Sequence, residues 1–341
     1  MANEADTCRR LVLPKLQAAG WDNEPYSIAE QRTITDGRIV PRGRGFIRKP
    51  PKRVDYLLRY RRDFPLAVVE AKASYKTALD AVQQGRQYAE MLGLKFAYAT
   101  NGQEIVEIDY FTGQEQPVSD YPDPETLWMR YQAGKKITPE VREQLLQPFN
   151  HDVGKGERYY QQIAINRVVE AVLRGQRRIL VTMATGTGKT AVAFQVCYKL
   201  WSSRWNRTRE YRRPRVLYLA DRNILVDQPK DGIFAVFGDA RYKIESSEIV
   251  QSREIYFALY QALAEDERRK GLFREYPRDF FDLVIVDECH RGSAKDESAW
   301  RSILEYFEPA YGPGNEIPER SCGCDQHIIS DGEWYGLLRA V

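Results

Sequence analysis

One stretch of small, hydroxyl-bearing and basic residues has the composition of a loop that binds phosphate. It reads Thr185-Gly186-Thr187-Gly188-Lys189-Thr190. The glycines allow backbone N–H groups to turn towards phosphate oxygens, Lys189 would reach the β- and γ-phosphates, and Thr190 would ligate Mg²⁺. The residue types and their spacing therefore predict a site for ATP with Mg²⁺.

The flanking segments have the patterns that such a loop needs. A short apolar run, Ile179 to Met183, predicts a buried parallel strand, and Val192, Val196 and Leu200 then recur at helical spacing. The N-terminus of that helix would add its partial positive charge to the site. Met183 stands where the strict pattern has its first glycine. The agreement of strand, loop and helix nevertheless argues against a chance glycine-rich turn.

A second motif places two acids directly after an apolar strand. Leu283 to Val286 are apolar, and they are followed by Asp287-Glu288-Cys289-His290. Open α/β sheets bind their ligands at the carboxyl ends of such strands. Asp287 would hold Mg²⁺ through water, and Glu288 would orient or deprotonate the water that attacks the γ-phosphate. The pair predicts ATP hydrolysis.

A third group of residues could hydrolyse a phosphodiester. Asp55 lies in a predicted strand, and a second strand, Leu66 to Lys72, is apolar until it presents Glu70 and Lys72 on one face. If the two strands form a hairpin, Asp55 can lie beside Glu70, and both carboxylates would hold Mg²⁺. Lys72 would position the attacking water or stabilise the phosphate charge. A charged, solvated strand end is the alternative.

The following helix, predicted over about 74 to 92, carries Gln84 and Tyr88 on one face. This order of motifs resembles the PD-(D/E)xK nuclease fold, and specifically its RecB-like branch, in which Glu-x-Lys precedes a helix bearing Gln-x-x-x-Tyr. The resemblance implies roles in catalysis for Gln84 and Tyr88. Glu4, on a predicted first helix from Glu4 to Ala19, could be an additional acidic ligand or an ordinary surface glutamate.

The middle of the chain resembles the first RecA-like lobe of a superfamily 2 helicase of the DEAD/DEAH type. The Asp-Glu-Cys-His box and the phosphate loop carry this resemblance, together with Ala220 to Gln228, which is similar to the helicase motif that touches the nucleic-acid backbone. A helix from about 158 to 173 begins like the helicase Q-motif. That likeness implies adenine recognition by Gln161, with Gln162 as the second choice and an exposed glutamine as the alternative.

A RecB-like nuclease followed by such a motor resembles the restriction (R) subunit of type I restriction–modification enzymes over residues 1 to about 310. The resemblance implies ATP-driven translocation and Mg²⁺-dependent cleavage of double-stranded DNA. It also implies methyltransferase and specificity subunits as partners. Two other interpretations stay open: a DNA-repair helicase whose nuclease-like domain only binds DNA, and a remnant that binds DNA or partners without catalysis.

The fold expected from these patterns is α/β, with a PD-(D/E)xK nuclease domain before a RecA-like parallel sheet. The predicted boundaries are 1–110 for the nuclease domain, 111–156 for a linker with short helices, 157–310 for the lobe and 311–341 for an atypical tail. The tail has no Ser/Thr-Ala-Thr helicase motif. We therefore expect a truncated motor that binds nucleotide weakly alone, and an out-of-frame tail is the preferred explanation.

The bulk properties limit the class of protein without deciding its function. The 341 residues are 43% hydrophobic and 29% charged, as in globular proteins, and the net charge is only +3. Two basic clusters, 38–53 and 204–215, could follow a phosphate backbone or be solvated loops. The five cysteines lack a zinc-site pattern, and no segment predicts a membrane span or signal peptide. The sequence thus predicts a cytoplasmic protein with reduced thiols.

Overall fold

The computed structural model describes most of the chain in two compact units, Met1–Arg142 and Glu143–Val341. The described residues are 3–35, 39–42, 45–48, 52–152, 158–183, 186–245, 248–264, 271–287, 301–307, 328–329 and 336–340. Thr185 and Glu288, both predicted site residues, lie outside them. Each unit is built around its own sheet, which confirms the α/β class.

The first unit holds a six-stranded mixed sheet in the order β1-β4-β5-β6-β7-β8, and a separate two-stranded sheet of β2 and β3. The strands are β1 (Ser27–Thr35), β2 (Ile39–Arg42), β3 (Gly45–Arg48), β4 (Lys52–Arg61), β5 (Phe64–Ala71), β6 (Phe96–Thr100), β7 (Ile105–Asp109) and β8 (Gln114–Val118). The helices are α1 (Glu4–Thr7), α2 (Leu13–Ala18), α3 (Leu79–Leu92), α4 (Pro124–Lys135) and α5 (Pro139–Leu145), with a π-helical turn (Cys8–Val12) joining α1 to α2. Strand β5 pairs antiparallel with β4 and parallel with β6, so α3 is the crossover between parallel neighbours.

Strand β5 lies inside the sheet of this unit because its side chains up to Val69 are apolar on both faces. All of its residues except Pro65 are buried, as expected for a strand covered on two sides. Helix α3 ends at Gly93, which adopts a left-handed backbone with φ of +66°. The helix begins at Leu79 rather than near Ser74, and residues 72–78, which include turns, connect it to β5.

The first unit extends to Arg142 rather than to the predicted residue 110, because much of the predicted linker packs on it. Strand β8 pairs with β7 and completes the sheet. Asp123 caps α4 by accepting a hydrogen bond from the Thr126 N–H at 2.9 Å, which holds the start of that helix. Trp128 of α4 is fully buried and stacks on Tyr60 with ring centroids 4.7 Å apart. Burial of large aromatic rings gives this segment its place in the core.

The second unit contains a seven-stranded sheet in the order β11-β12-β10-β13-β15-β9-β14. Its strands are β9 (Arg178–Thr182), β10 (Val216–Ala220), β11 (Arg241–Lys243), β12 (Ile255–Leu259), β13 (Leu283–Val286), β14 (Ile328–Ile329) and β15 (Gly336–Ala340). The helices are α6 (Tyr159–Leu173), α7 (Lys189–Ser202), α8 (Asn223–Asp231) and α9 (Tyr260–Leu263), with 3₁₀ segments at Ile233–Ala240 and Leu272–Glu275. Residues 301–306 are also helical.

Strands β11, β12, β10 and β13 run parallel to one another, as the apolar strand pattern predicted. Strand β15, in the segment that we expected to be atypical, lies antiparallel between β13 and β9. Along β10, Leu217 and Leu219 join one core cluster with Val284 and Val286 of β13. Tyr218 consequently faces the opposite side of the sheet, because side chains alternate along a strand.

Among the described helices, none combines the length and apolar character needed to cross a bilayer.

Candidate functional site

The predicted hairpin exists and brings the first acidic pair together. Strands β4 and β5 are antiparallel with Tyr56 opposite Val69, so Asp55 and Glu70 are the next facing positions. The backbone N–H of Ala71 donates to Asp55 Oδ2 at 2.8 Å, which fixes that carboxylate against the neighbouring strand. Register, rather than sequence proximity, therefore places two buried acids side by side.

A third carboxylate, from the first helix, completes the group. One carboxylate oxygen from each of Glu4, Asp55 and Glu70 lies within 4.8 Å of the others. Glu70 is 2% exposed, and its Oε2 has no hydrogen-bond partner among the residues that the structure describes. A buried carboxylate oxygen without a partner is unfavourable unless a proton or a cation occupies it. The donor set is thus suited to an oxygen-preferring cation such as Mg²⁺.

The electrostatics of these acids reflect their crowding and burial. Burial, and then the charge of Asp55, raises the pKa of Glu70 to about 8. Burial also raises the pKa of Asp55, while hydrogen bonds from Ala71 and Gln31 act in the opposite direction. Two carboxylates this close repel each other when both are ionised, so charging the second one costs free energy in the absence of a cation. Without a metal ion, Glu70 therefore stays protonated near neutral pH, and a bound cation would favour its charged form.

Lys72 is held by groups from three elements. Its ammonium nitrogen lies 3.2 Å from Glu70 Oε1, 2.9 Å from Gln84 Oε1 and 3.7 Å from Glu4 Oε2. The Gln84 amide in turn donates to the hydroxyl of Tyr88 at 2.8 Å. Burial lowers the pKa of Lys72, but the nearby carboxylates outweigh that effect and the net pKa is raised. The lysine is thus a fixed cation at the edge of the acidic group.

Gln31 is a site residue that the sequence did not indicate. In the β1–β4 register Glu30 faces Tyr56 and Arg32 faces Val54, so Gln31 is opposite Asp55. Its backbone has a positive φ of 47°, which is unusual for a non-glycine residue, and its Nε2 donates to Asp55 Oδ1 at 2.9 Å. An isolated glutamine in a polar strand carries no motif, so only the register could have shown this contact.

In the second unit the predicted strand, loop and helix occur in the expected order. Strand β9 precedes the loop, and α7 begins at Lys189 with Gly188 as its N-cap, in a left-handed conformation with φ of +85°. Gly186 also has a positive φ, of 78°. Glycine adopts this backbone without steric cost, which explains both positions. The Lys189 and Thr190 side chains thus leave the first turn of a helix whose N–H groups favour anions.

Gln161 contacts the phosphate loop directly. Its Nε2 donates to the Thr187 carbonyl at 2.7 Å, and its Oε1 accepts from the backbone N–H of Arg158 at 3.4 Å. A Cβ atom added at Gly188 would collide with this amide. The next residue, Gln162, is buried instead. Of the two glutamines that the Q-motif likeness suggested, Gln161 is the one that reaches the loop.

Asp287 has a buried hydrogen-bond partner on the neighbouring strand β10. Its carboxylate accepts a hydrogen bond of 2.5 Å from the hydroxyl of Tyr218, which is fully buried on β10. One of the two residues predicted to hold Mg²⁺ on the nucleotide side, Asp287, is therefore bound to a buried phenol of the neighbouring strand.

Comparison with known proteins identifies relatives among restriction enzymes. The chain is 39% identical to the endonuclease subunit of the type I restriction enzyme EcoAI from Escherichia coli, over 98% of this chain and 40% of that subunit. A solved fragment from Vibrio vulnificus, described as an HsdR subunit of a type I restriction enzyme, is 54% identical with a TM-score of 0.76. The chain is a homologue of type I restriction endonuclease (HsdR) subunits. The resemblance inferred from the motifs is confirmed.

The extent of each match defines what the comparison covers. The solved HsdR fragment aligns with 91% of this chain and 54% of its own, and the EcoKI endonuclease subunit of Escherichia coli is 27% identical over 72% of this chain and 22% of its length. A family profile described as the res subunit of type III restriction enzymes matches residues 155–312, the helicase-like part. This HsdR homologue therefore spans about 40% of the EcoAI subunit.

The second basic cluster of this HsdR homologue, 204–215, is mostly engaged within the protein. Arg212 donates to Asp282 at 2.6 and 2.9 Å, and Asp282 is fully buried. The guanidinium of Arg213 lies 3.4 Å from the ring centroid of Trp201. Contacts of this kind fasten the loop to the sheet. They favour a structural role for these two arginines over contact with a phosphate backbone.

The first basic cluster surrounds the β2–β3 ribbon. Its residues outside the described part of the chain are Arg38, Arg44 and Lys49. Lys52, where β4 begins, places its ammonium 6.0 Å from the ring centroid of Tyr88. This part of the cluster therefore borders the nuclease-like site.

Two of the five cysteines, Cys8 and Cys197, are buried and unbonded to another cysteine. Burial raises the pKa of both thiols, that of Cys8 to about 12, so neither is a reactive thiolate.

Proposed function

We propose that this chain supplies the Mg²⁺-dependent nuclease site and the first ATP-binding lobe of a type I restriction endonuclease subunit. The substrate is double-stranded DNA, which the assembled enzyme translocates at the expense of ATP and then cuts. Support for this proposal comes chiefly from the convergence of three carboxylates with Lys72, Gln84 and Tyr88 at the end of β5. A solvated strand end would not bury Glu70 beside Asp55.

Each nuclease residue has a chemical task that its position supports. Glu4, Asp55 and Glu70 would hold Mg²⁺, which supplies Lewis-acid activation of the phosphate and acidifies a bound water. Lys72 would stabilise the negative charge that develops on the scissile phosphate. Gln84 fixes the ammonium of Lys72, and Tyr88 fixes the Gln84 amide, so that the cation does not need to reorganise during the reaction.

The nucleotide site is assembled at the amino end of α7. Backbone N–H groups of the loop from Thr185 to Gly188, with the Lys189 ammonium, would bind the ATP phosphates. Thr190 and Asp287 would hold Mg²⁺, and Glu288 would orient the attacking water. Gln161 supports the loop through the Thr187 carbonyl and is suited to sense whether adenine is bound. Hydrolysis at full rate would need groups beyond this lobe, since transition-state charge is normally met by a second lobe.

The remaining parts of the proposal rest on the homologous subunits. Methyltransferase and specificity subunits would recognise the DNA sequence, and the assembly would work in the cytoplasm. The restriction subunit itself then needs only contacts to the DNA backbone, which carry no sequence information. The basic residues that border the nuclease-like site, such as Lys52, suit that requirement.

The decisive experiment separates the two sites in the full chain. Wild type, Lys72→Ala, Lys76→Ala and Lys189→Ala are compared for cleavage of plasmid DNA with Mg²⁺ and for binding of a fluorescent ATP analogue. We expect Lys72→Ala to lose cleavage and keep nucleotide binding. We expect Lys189→Ala to lose nucleotide binding. Lys76, whose side chain is exposed near the same site, is the matched control and should cut like wild type.

The same experiment distinguishes the rival interpretations. Cleavage that persists in Lys72→Ala would contradict the nuclease assignment. A wild-type chain that binds DNA and nucleotide but does not cut, even with the partner subunits added, would favour a repair-type helicase with a DNA-binding domain. Absence of nucleotide binding and of cleavage would favour a remnant that only binds DNA or partners.

A further inference from the structure

Gln31 has a backbone conformation that its strand pairing does not require. It lies inside β1, yet its φ is 47°, in the left-handed region that favours glycine. The register of β1 on β4 is the same on both sides of it, since Glu30 faces Tyr56 and Arg32 faces Val54, and the register shift of this pair lies further along the strand. A β-bulge at Gln31 is therefore not the cause.

Core packing does not explain the strained backbone either, because Gln31 is exposed. A non-glycine residue with positive φ costs free energy that other interactions must offset, and such residues cluster at functional sites. The side chain of Gln31 is therefore the feature to consider.

That side chain reaches the buried acid opposite it. Its Nε2 donates to Asp55 Oδ1 at 2.9 Å, and the Ala71 N–H donates to Asp55 Oδ2 at 2.8 Å. The two donors lie on β1 and β5, the strands on either side of β4. Rotation of the carboxylate about its Cβ–Cγ bond would break both hydrogen bonds. The plane of the Asp55 carboxylate is thus fixed from two directions.

A fixed carboxylate plane matters to a small cation. Mg²⁺ requires nearly octahedral geometry, with oxygen ligands at about 2.0–2.1 Å, so a carboxylate that rotates is a poorer ligand. A carboxylate oxygen that accepts one hydrogen bond keeps a second lone pair for a metal ion. One oxygen of Asp55 lies within 4.8 Å of carboxylate oxygens of Glu4 and Glu70. Holding Asp55 therefore holds one ligand of the acidic group in place.

We propose that Gln31 is a positioning residue that orients the Asp55 carboxylate for Mg²⁺, and that its strained backbone is retained for this hydrogen bond. The inference rests on the proposed nuclease site. It adds a residue that neither Glu-x-Lys nor Gln-x-x-x-Tyr contains. Gln31 contacts neither metal nor DNA in this role and acts through Asp55.

Two variants without a hydrogen-bond donor separate the side chain from the backbone. Gln31→Met keeps a side chain of similar length and the strained φ, whereas Gln31→Gly removes the strain together with the donor. Gln31→Gly should therefore be the more stable of the two in chemical denaturation. We expect both variants to bind Mn²⁺ about tenfold more weakly than wild type, as is typical when a partner of a metal ligand is lost.

Calorimetric titration of the full chain with Mn²⁺, without nucleotide, measures this affinity. Glu70→Gln shows the heat that arises outside the acidic group. Thr33→Ala, an exposed change on the same strand, is the matched control and should bind Mn²⁺ like wild type. In plasmid cleavage, both Gln31 variants should need about tenfold more Mg²⁺ to reach half of their maximal rate.

The two variants also give the result that would overturn the proposal. If Gln31 served only the backbone, metal affinity would follow stability, with a loss in Gln31→Met and none in Gln31→Gly. Wild-type affinity in both variants would contradict the role as well. A wild-type chain that binds Mn²⁺ no better than Glu70→Gln would instead refute the proposed metal site itself.

Discussion

The ammonium nitrogen of Lys72 lies 2.9 Å from the amide oxygen of Gln84. This contact connects the residue that follows β5 to the middle of α3. Lysine has a long side chain with several rotatable bonds, and holding it in one conformation costs entropy that a fixed acceptor offsets. The Gln-x-x-x-Tyr motif thus has a physical explanation in this chain: it immobilises the cation of the nuclease-like site.

Gln84→Ala is expected to reduce DNA cleavage by about tenfold to a hundredfold. This range is typical for residues that orient the groups of a site through a hydrogen bond. The reason is that Lys72 loses an acceptor but keeps its charge. Plasmid cleavage at saturating Mg²⁺ measures the effect. Gln83→Ala, on the exposed side of the same helix, is the control. Equal rates in the two variants would show that Gln84 has no positioning role.

The raised pKa of Glu70, about 8 against an ordinary 4.5, predicts the pH dependence of metal binding. Between these values the folded, metal-free protein keeps a proton that the unfolded chain has released. Stability of the metal-free protein should therefore fall as pH rises from about 4.5 to about 8. A cation must displace that proton, so its affinity should rise about tenfold per pH unit and level off above about pH 8.

Calorimetric titration of the full chain with Mg²⁺ or Mn²⁺ between pH 6 and 9 tests this dependence. Glu70→Gln should bind the metal weakly and should lose most of the slope, because it has no proton to exchange. A wild-type affinity that does not vary with pH in this window would mean that Glu70 is already charged without metal.

Arg130 is expected to matter for stability and not for catalysis. Its guanidinium donates to both oxygens of Glu107 at 2.8 Å and to Asp109 at 2.9 Å, and both acids are buried on β7. Arg130→Met would leave two buried carboxylates without this partner. We expect the free energy of unfolding to fall by about 2–3 kcal/mol. This is no more than the smallest loss typical of a broken buried ion pair, because the arginine is one-third exposed.

Chemical denaturation of the full chain measures that loss. The control is Arg86→Met, which breaks a more exposed ion pair with Glu115 and should cost at most about 1 kcal/mol. Similar losses in the two variants would show that α4 is not fastened to the first sheet by Arg130.

Two variants separate the steps at the nucleotide site. Lys189→Ala should weaken nucleotide binding, because it removes the cation that faces the phosphates. Glu288→Gln should keep binding and lose hydrolysis, because it changes only the group that handles the attacking water. Phosphate release by the chain with its partner subunits measures turnover. Hydrolysis at the wild-type rate in either variant would contradict the role given to that residue.

Much of both sites follows from local sequence. The phosphate loop, the acids after β13, and the Glu-x-Lys strand followed by Gln-x-x-x-Tyr are read within short windows, because strand and helix periodicity fix which side chains share a face. The hairpin of β4 and β5 was also predictable, since a short turn joins two apolar strands. The order of these motifs along the chain is sufficient to indicate the family of type I restriction subunits.

The parts that sequence could not supply depend on contacts between distant segments. Gln31 reaches Asp55 only through the register of β1 on β4. The sequence left Glu4 open between a ligand and a surface glutamate, and only its approach to Lys72 and the other two acids decides that it joins the group. The segment from 111 to 142 was predicted as a linker because prolines and charged residues are typical of connecting segments. Its composition did not indicate that Trp128 is buried.

Tyr218 illustrates the same division within a single strand. Its place in an apolar run predicted a core residue, and that was correct for the ring. Whether its hydroxyl meets Asp287 depends on how β10 and β13 pair, which no local window contains. Sequence by itself determined the chemistry available to this protein, because side-chain types and local periodicity are local properties. Tertiary structure decided which of those groups act together, since hydrogen bonds and shared charge require approach within about 3 Å.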